Sequence, residues 1–180
     1  DKKALKEWKA KAVVVHTSNE RTKSKKLATA KTIYLANKFD NREIYFPHTT
    51  DFRNRAYAVV PYLNPQGTDY AKALLRFSEG ISLGDTGPRS LAIHIANVFG
   101  QDKLPLDERE KWTLDNTDTI IKCSSEPFTE RFWETADKPW AFLAGCIEWH
   151  EYTKHGKDFK STLPVASDGS CNGLQHFSAM

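Results

Sequence analysis

The sequence predicts an α+β fold that is mainly helical. Long stretches without Gly or Pro carry apolar residues at a helical spacing of three or four positions. Extended runs are few and short, and each contains or adjoins a proline. The composition, 39% hydrophobic and 12% aromatic, is that of an ordinary globular chain able to bury a core.

The first predicted helix extends from Lys2 to about Lys38, a stretch without Gly or Pro. Further helices are predicted at 70–79, 89–99, 106–124 and 140–155. Three of them are followed by a glycine, as is typical of helix C-termini. For the last helix, the spacing predicts these buried side chains: Trp140, Leu143, Ala144, Ile147 and the stem of Glu151.

Extended structure is predicted at 43–46, where Pro47 stops the run, and at 56–63. Pro61 inside the second run indicates an edge position or a bulge. A turn at 64–67, Asn-Pro-Gln-Gly, follows it.

The formal net charge is +3, but it is distributed unevenly. Residues 1–38 hold eleven Lys or Arg against three acidic residues, a net charge of +8, which leaves −5 for residues 39–180. A basic segment joined to a mildly acidic body suits contact with nucleic-acid phosphates, and Lys23, Lys25 and Lys26 are its candidates. A solvated helix face is the alternative interpretation of the same charges.

The three cysteines, Cys123, Cys146 and Cys171, are odd in number and widely spaced, which predicts reduced thiols rather than a disulfide framework. No apolar run approaches the ~18 residues that a membrane span needs, so we expect no membrane. The chain begins and stops inside helical patterns and lacks an initiator Met, so we expect an excerpt of a longer protein.

A carboxylate follows a third extended run, 162–167. This strand brings Asp168 to its C-terminal end, Gly169 comes next, and a helix begins near Gly173. A strand holds a carboxylate rigidly, and a glycine lets its main-chain carbonyl approach an ion or a substrate closely. The pattern suits a divalent metal bound near phosphates. Taken alone, the same residues also suit an Asx turn that caps a helix.

The full string at 168–180, Asp-Gly-Ser-Cys-Asn-Gly-Leu-Gln-His-Phe-Ser-Ala-Met, closely resembles motif A of the palm in bacteriophage-type single-subunit DNA-dependent RNA polymerases. Residues 51–57, Asp-Phe-Arg-Asn-Arg-Ala-Tyr, resemble that family's D-[FW]-R-G-R-x-Y motif. Shorter similar stretches occur in the same order over nearly the whole chain. The resemblance implies a basic helical segment at 1–40 that leads into the palm of a right-hand polymerase, and a palm-region fragment at 41–180.

One departure from the family pattern lies at Asn54, where the motif has Gly. Because Asn tolerates positive φ better than most non-glycine residues, we expect the turn to be kept. Asp51 is expected to orient the neighbouring arginines rather than to bind metal.

The resemblance also implies site residues. Asp168 is expected to be the catalytic, metal-binding carboxylate, with the Gly169 carbonyl as an auxiliary ligand, in a two-Mg²⁺ site whose second carboxylate lies outside this chain. Arg53 and Arg55 are expected to grip template and hybrid phosphates, the alternative being a structural salt bridge. Gly173 is expected to leave room beside the ribose of the incoming nucleotide, or else to serve close helix packing alone.

Other constellations favour structural interpretations. Cys171 and His176 lack the third member of a nucleophilic triad. Cys146, His150 and His155 lack the paired cysteines typical of a zinc site. No G-x-x-x-x-G-K-[ST] loop is present, so a triphosphate would not be held as in P-loop enzymes.

We therefore expect DNA-templated RNA synthesis, with a DNA template, nascent RNA and ribonucleoside triphosphates as partners. A family A DNA polymerase is one alternative, although its motif D-Y-S-Q-[IL]-E-L-R carries a Glu that this chain lacks. A non-catalytic nucleic-acid-binding fragment is the other, and we expect the isolated 180 residues to be inactive. A monomer in the host cytoplasm of a virus is favoured over the mitochondrial matrix.

Overall fold

The computed structural model describes residues 2–165, and the chain divides into two compact units, Asp1–Leu74 and Leu75–Met180. The helices are α1 (Lys2–Lys38), α2 (Asp69–Ala73), α3 (Gly87–Phe99), α4 (Leu106–Asp115), α5 (Thr117–Ser125) and α6 (Pro139–His155). The strands are β1 (His48–Thr50), β2 (Ala56–Ala58), β3 (Ile81–Ser82) and β4 (Lys160–Ser161), and 3₁₀ turns lie at Phe132–Thr135 and Gly156–Asp158. The mainly helical α+β class is confirmed.

In the first unit, α1 has the bounds that the sequence predicts. Most of it is exposed, and Thr32 is its only buried side chain. The Thr32 hydroxyl donates to the carbonyl of Ala28 at 2.9 Å. Near this end of the helix the Lys31 ammonium donates to the Tyr62 hydroxyl at 3.0 Å. Only the last third of α1 therefore packs against other residues of its unit. Within residues 2–165 we find no helix with the length and apolar character needed to cross a bilayer.

The sheet of the first unit is a two-stranded antiparallel hairpin in which His48 pairs with Ala58 and Thr50 with Ala56. The predicted strand at 43–46 is wrong, because the ladder begins only after Pro47. The Pro47 carbonyl accepts from the Val59 N–H at 3.0 Å, an acceptor role that a proline can fill.

Helix α2 ends at Ala73, so the predicted helix at 70–79 is too long. The N–H of Phe77 donates to the carbonyl of Thr162 at 2.9 Å instead of continuing the helix. A contact 85 positions away along the chain thus overrides the local helical pattern.

The second unit is built around a core of α3, α5 and α6, with an aromatic cluster at its centre. Phe142 of α6 is fully buried, with ring centroids 5.1 Å from Phe99, 6.2 Å from Phe132 and 6.5 Å from Trp112. At Gly145 an added Cβ would meet the side chain of an α3 isoleucine at 3.0 Å, so this glycine allows α3 and α6 to approach closely.

Helix α6 confirms the predicted helix but only part of its predicted buried face, since Leu143 and Ala144 are partly buried against the core. The buried residues are Phe142, Gly145, Cys146, Glu148 and Trp149. Trp140 and Ile147, predicted to be buried, are 48% and 41% exposed. Because α6 is apolar on most of its circumference, spacing alone selects no single face.

The predicted single helix at 106–124 is two helices, α4 and α5, separated at Asn116. The Asn116 side-chain amide and its N–H both donate to the Trp112 carbonyl, at 2.7 and 3.1 Å. Thr113 of α4 is fully buried and donates to the Ala92 carbonyl of α3 at 2.8 Å.

The second sheet pairs β3 with β4, with Ile81 opposite Ser161. The third predicted strand, 162–167, is not confirmed in its described part, because the ladder consists of Lys160–Ser161 and residues 162–165 have no strand partner. Gly80 makes the close approach possible, since an added Cβ would lie 3.1 Å from that of Lys160. Leu163 is buried and joins the hydrophobic core.

Candidate functional site

One candidate site is the turn between β1 and β2, which carries Arg53 and Arg55. The Asp51 N–H donates to the Arg55 carbonyl at 3.1 Å, and the Asn54 N–H donates to the Asp51 carbonyl at 3.0 Å. These bonds close the hairpin and fix the main chain on both sides of the arginines.

The carboxylate of Asp51 organises this turn. Its Oδ1 accepts from the N–H of Arg53 at 2.8 Å and from the N–H of Arg55 at 3.0 Å, while Oδ2 accepts from the Tyr57 hydroxyl at 3.4 Å. The Arg55 N–H is the largest of the causes that hold the pKa of Asp51 below its usual range. Asp51 therefore stays charged and orients the arginines through their main chain.

Asn54 occupies the left-handed region, with φ of 57°. Only the small polar residues and glycine adopt this conformation at low cost. The expectation that Asn keeps the turn is confirmed, and the Asn side chain remains exposed at its tip.

The guanidinium groups of Arg53 and Arg55 are exposed, and none of the ion pairs found within residues 2–165 involves either of them. The Arg53 guanidinium lies over the ring of Phe52, 5.0 Å from its centroid. Two cations on a fixed hairpin are thus available to an external anion. The alternative of a salt bridge to Asp51 is not what the structure shows, since that carboxylate accepts from main-chain groups.

The turn at 64–67 does more than reverse the chain, which the sequence reasoning missed. The Gln66 side-chain amide accepts from the Ala58 N–H at 2.8 Å and donates to the Ala56 carbonyl at 2.9 Å. It therefore pairs with the free edge of β2 as a neighbouring strand would. The Asn64 amide donates to the Val60 carbonyl at 2.6 Å and to the Ala58 carbonyl of the same edge at 3.4 Å. Two side-chain amides directly after a short strand were the available signal.

The other predicted site residues, Asp168, Gly169 and Gly173, lie outside the described residues. The structure does describe the chain that leads toward them, up to Val165. This approach segment, defined as residues 160–165, is fixed at its start by pairing with β3 and by the Phe77 N–H bond to Thr162.

A buried carboxylate that sequence reasoning missed also holds the approach segment. Glu148 of α6 is 1% exposed. Its Oε1 accepts from the Ser161 hydroxyl at 2.6 Å, from the Thr162 N–H at 2.9 Å and from the Leu163 N–H at 3.3 Å. Its Oε2 accepts from the Arg76 guanidinium at 2.6 Å. The only sequence signal was an acidic residue on the apolar helix α6.

The basic start of the chain lies on the exposed surface of α1. Lys23 forms an ion pair with Glu20 at 2.8 Å, with both side chains about 70% exposed. Lys25 and Lys26 are exposed as well. Exposed pairs of this kind contribute roughly 0–1 kcal/mol, so the pair with Glu20 does not prevent Lys23 from contacting a partner.

Cys146, His150 and His94 lie where they pack or form hydrogen bonds within the protein. Burial raises the pKa of the Cys146 thiol above its ordinary range, and His150 lies 3.1 Å from the Ser124 hydroxyl. Burial, together with the charge of Lys138, lowers the pKa of His94 to about 4, so His94 is neutral at physiological pH. Within residues 2–165 no group of three or more His, Cys, Asp or Glu is arranged to hold a metal ion.

Comparison with known sequences defines the class. Residues 81–180 match the family of DNA-dependent RNA polymerases. The chain therefore belongs to the DNA-dependent RNA polymerase family, as its motifs predict.

Individual members of the family are similar to this chain over most of its length. The chain is 41% identical over 178 residues to the DNA-directed RNA polymerase of Enterobacteria phage T3 and to T7 RNA polymerase of Escherichia phage T7. Both alignments cover 98% of this chain and 20% of the relative. The mitochondrial DNA-directed RNA polymerase of Neurospora crassa is 39% identical over 153 residues, which are 81% of this chain and 10% of that protein. The chain thus spans about a fifth of the length of the phage relatives.

Proposed function

We propose that the chain acts in DNA-templated RNA synthesis, as the part of a phage-type polymerase that contains the first catalytic carboxylate. The observation that carries this proposal is the 41% identity with two phage RNA polymerases over 98% of the chain. The family match extends through residue 180 and so includes Asp168. The proposed partners are a DNA template, nascent RNA and ribonucleoside triphosphates. The polymerase is proposed to be a monomer that acts in the cytoplasm of a phage's host.

Asp168 is the proposed metal-binding carboxylate, and the Gly169 carbonyl is its auxiliary ligand. Carboxylate and carbonyl oxygens are the donors that Mg²⁺ prefers, so the chemistry of this donor set fits the ion. When bound, a Mg²⁺ pair would activate the attacking 3′ oxygen and stabilise the leaving pyrophosphate. One carboxylate does not hold two ions. The second carboxylate is therefore expected from outside this chain.

Gly173 is proposed to border the ribose of the incoming nucleotide. A glycine at the start of a helix leaves space where any side chain would project. The family A DNA polymerase motif carries a bulky Glu in its equivalent stretch, and this chain has none there. Admission of the 2′-hydroxyl, and so selection of ribonucleotides, follows from that difference.

Arg53 and Arg55 are proposed to grip phosphates of the template and the RNA–DNA hybrid. Their exposed guanidinium groups, free of ion pairs within residues 2–165, suit bidentate contact with phosphate oxygens. The main-chain bonds to Asp51 fix the turn before any partner binds, which lowers the entropic cost of binding. Such contacts position a strand without reading its sequence.

Arg55→Ala is expected to weaken retention of short transcripts and so to raise the ratio of abortive to full-length RNA about three- to tenfold. One lost phosphate contact also makes the salt dependence of complex stability shallower by about one unit of slope. The measurement is gel analysis of transcripts made by a complete polymerase that contains this chain, at several salt concentrations.

Arg131→Ala is the matched control. Arg131 is also exposed, but it pairs with Glu134 at 2.7 Å, so its loss removes one positive charge without touching the hairpin. An unchanged transcript ratio in Arg55→Ala would count against a phosphate-binding role for the turn.

The proposed function as a whole is tested by nucleotide incorporation. A complete polymerase that contains this chain should extend RNA only with a DNA template, ribonucleotides and Mg²⁺. Preference for deoxyribonucleotides would favour the DNA polymerase alternative. Binding of DNA without any incorporation of nucleotide would favour a non-catalytic binding module. The observation that supports this alternative is the exposed basic surface of α1.

A further inference from the structure

Glu148 is the only buried acidic side chain within residues 2–165, and it is far from an ordinary core residue. Taking a carboxylate out of water costs several kcal/mol, which a neutral apolar side chain of similar volume would avoid. The site offsets this cost with four hydrogen bonds, one of them from a guanidinium. A buried charge of this kind has to be explained by what it holds in place.

The four bonds divide between the two oxygens of Glu148. Oε2 accepts from Arg76, whose side chain is 53% exposed, and this ion pair neutralises the charge. Oε1 accepts only from the approach segment, from one hydroxyl and two consecutive main-chain N–H groups. Those N–H groups belong to residues just beyond β4, where the ladder with β3 has ended. Glu148 therefore takes over the role of a pairing strand at the point where the sheet stops.

We propose that Glu148 is a positioning residue for the Asp168 carboxylate, an inference that rests on the proposed function. Leu163, the last residue held by Glu148, stands five positions before Asp168, a reach of at most about 18 Å. Leu163, anchored by the carboxylate and buried in the core, gives the chain beyond it a fixed starting point. Without that anchor the approach segment keeps its pairing with β3 and the Phe77 contact, both before Leu163. At Leu163 it keeps the burial of the side chain and a long hydrogen bond from the N–H to the Ser161 hydroxyl, at 3.4 Å.

The roles of the two oxygens predict different results for two substitutions. Glu148→Ala removes every hydrogen bond that Glu148 accepts from the approach segment. Glu148→Gln keeps an acceptor oxygen for the Ser161, Thr162 and Leu163 donors, but turns its amide NH2 toward Arg76, so the charge and the hydrogen bond from the guanidinium are both lost. The Gln variant should therefore lose stability yet keep the segment in place.

The experiment compares the parent, both Glu148 variants and Ile120→Ala in a complete polymerase that contains this chain. Ile120 is fully buried on α5 and contributes none of the hydrogen bonds that hold the approach segment, so its truncation is the control for a general loss of stability. Two measurements are made on each protein below its unfolding transition. They are amide hydrogen exchange over residues 160–165 relative to α3, and kcat and KM for nucleotide addition as the Mg²⁺ concentration is varied.

In Glu148→Ala we expect exchange at Thr162 and Leu163 to rise about tenfold relative to α3, since buried hydrogen bonds are lost locally. We expect kcat to fall about 10- to 100-fold with little change in the nucleotide KM, because a shift of about 1 Å in a catalytic group has effects of this size. Half-saturation by Mg²⁺ should move to higher concentration. In Glu148→Gln, both the relative exchange rate and kcat should stay near the parent values. Ile120→Ala should change neither the exchange of residues 160–165 relative to α3 nor kcat.

Loss of stability in Glu148→Ala with parent-like kcat and Mg²⁺ dependence would overturn the inference and leave the proposed function intact. An equal fall in kcat for Ile120→Ala would do the same, since the effect would then follow stability alone. A parent that incorporates no nucleotide would instead overturn the proposed function, and the inference with it.

Discussion

Asp168→Asn is expected to reduce nucleotide addition by about a thousandfold or more in a complete polymerase that contains this chain, while binding to promoter DNA stays nearly unchanged. Asn has almost the same shape as Asp but is neutral, so it is a poor ligand for a hard divalent cation. Metal ions supply several kcal/mol of transition-state stabilisation, and about 4 kcal/mol corresponds to a factor of a thousand. Phosphate contacts come from positively charged side chains, so we expect DNA binding not to respond to this substitution.

The measurement is single-turnover extension of a preassembled RNA–DNA scaffold, with promoter binding followed separately. Asp158→Asn is the matched control, because Asp158 is an exposed carboxylate ten positions earlier in the same unit. Elongation by Asp168→Asn at a rate close to that of the parent would refute the role of this carboxylate. Loss of promoter binding in the same variant would show a folding defect instead.

Phe142→Ala is expected to lower the free energy of unfolding of the second unit by about 3–5 kcal/mol, the range for a fully buried aromatic residue. The substitution removes the ring that contacts Phe99, Phe132 and Trp112, and leaves a cavity that the packed helices fill only in part. Tryptophan fluorescence during urea unfolding reports on this unit, because four of the five tryptophans lie in it.

Phe128→Ala is the control for Phe142→Ala. Phe128 is 93% exposed, so the same chemical change should alter the free energy of unfolding by less than about 0.5 kcal/mol. Similar losses for the two variants would mean that the aromatic cluster is not the centre of the core.

The helices were predictable where a stop signal and a local pattern agreed. Helix α1 matches its predicted bounds, and α3 and α6 end where Gly100 and Gly156 follow them. One error arises where a distant segment takes a main-chain donor, since Thr162 accepts from the Phe77 N–H that would have continued α2. Another lies at Asn116 between α4 and α5, whose side-chain amide and N–H both donate to the Trp112 carbonyl.

The hairpin site was predictable in its residues and not in its bonds. The motif at 51–57 pointed to Asp51, Arg53 and Arg55. The tolerance of Asn for positive φ correctly predicted the conformation of Asn54. That Asp51 would accept from main-chain N–H groups rather than from guanidinium groups depends on the geometry of the closed turn.

The amino-acid sequence by itself determined the family, the mainly helical class and the place of Asp168 in the chain, because each of these depends on residue order over short distances. Tertiary structure alone decided which face of α6 is buried and what holds the approach segment. Glu148 reads in sequence as one acidic residue among apolar ones. Its role appears only when α6 packs against residues 161–163, since hydrogen bonds between segments 13 to 15 positions apart form after the chain has folded.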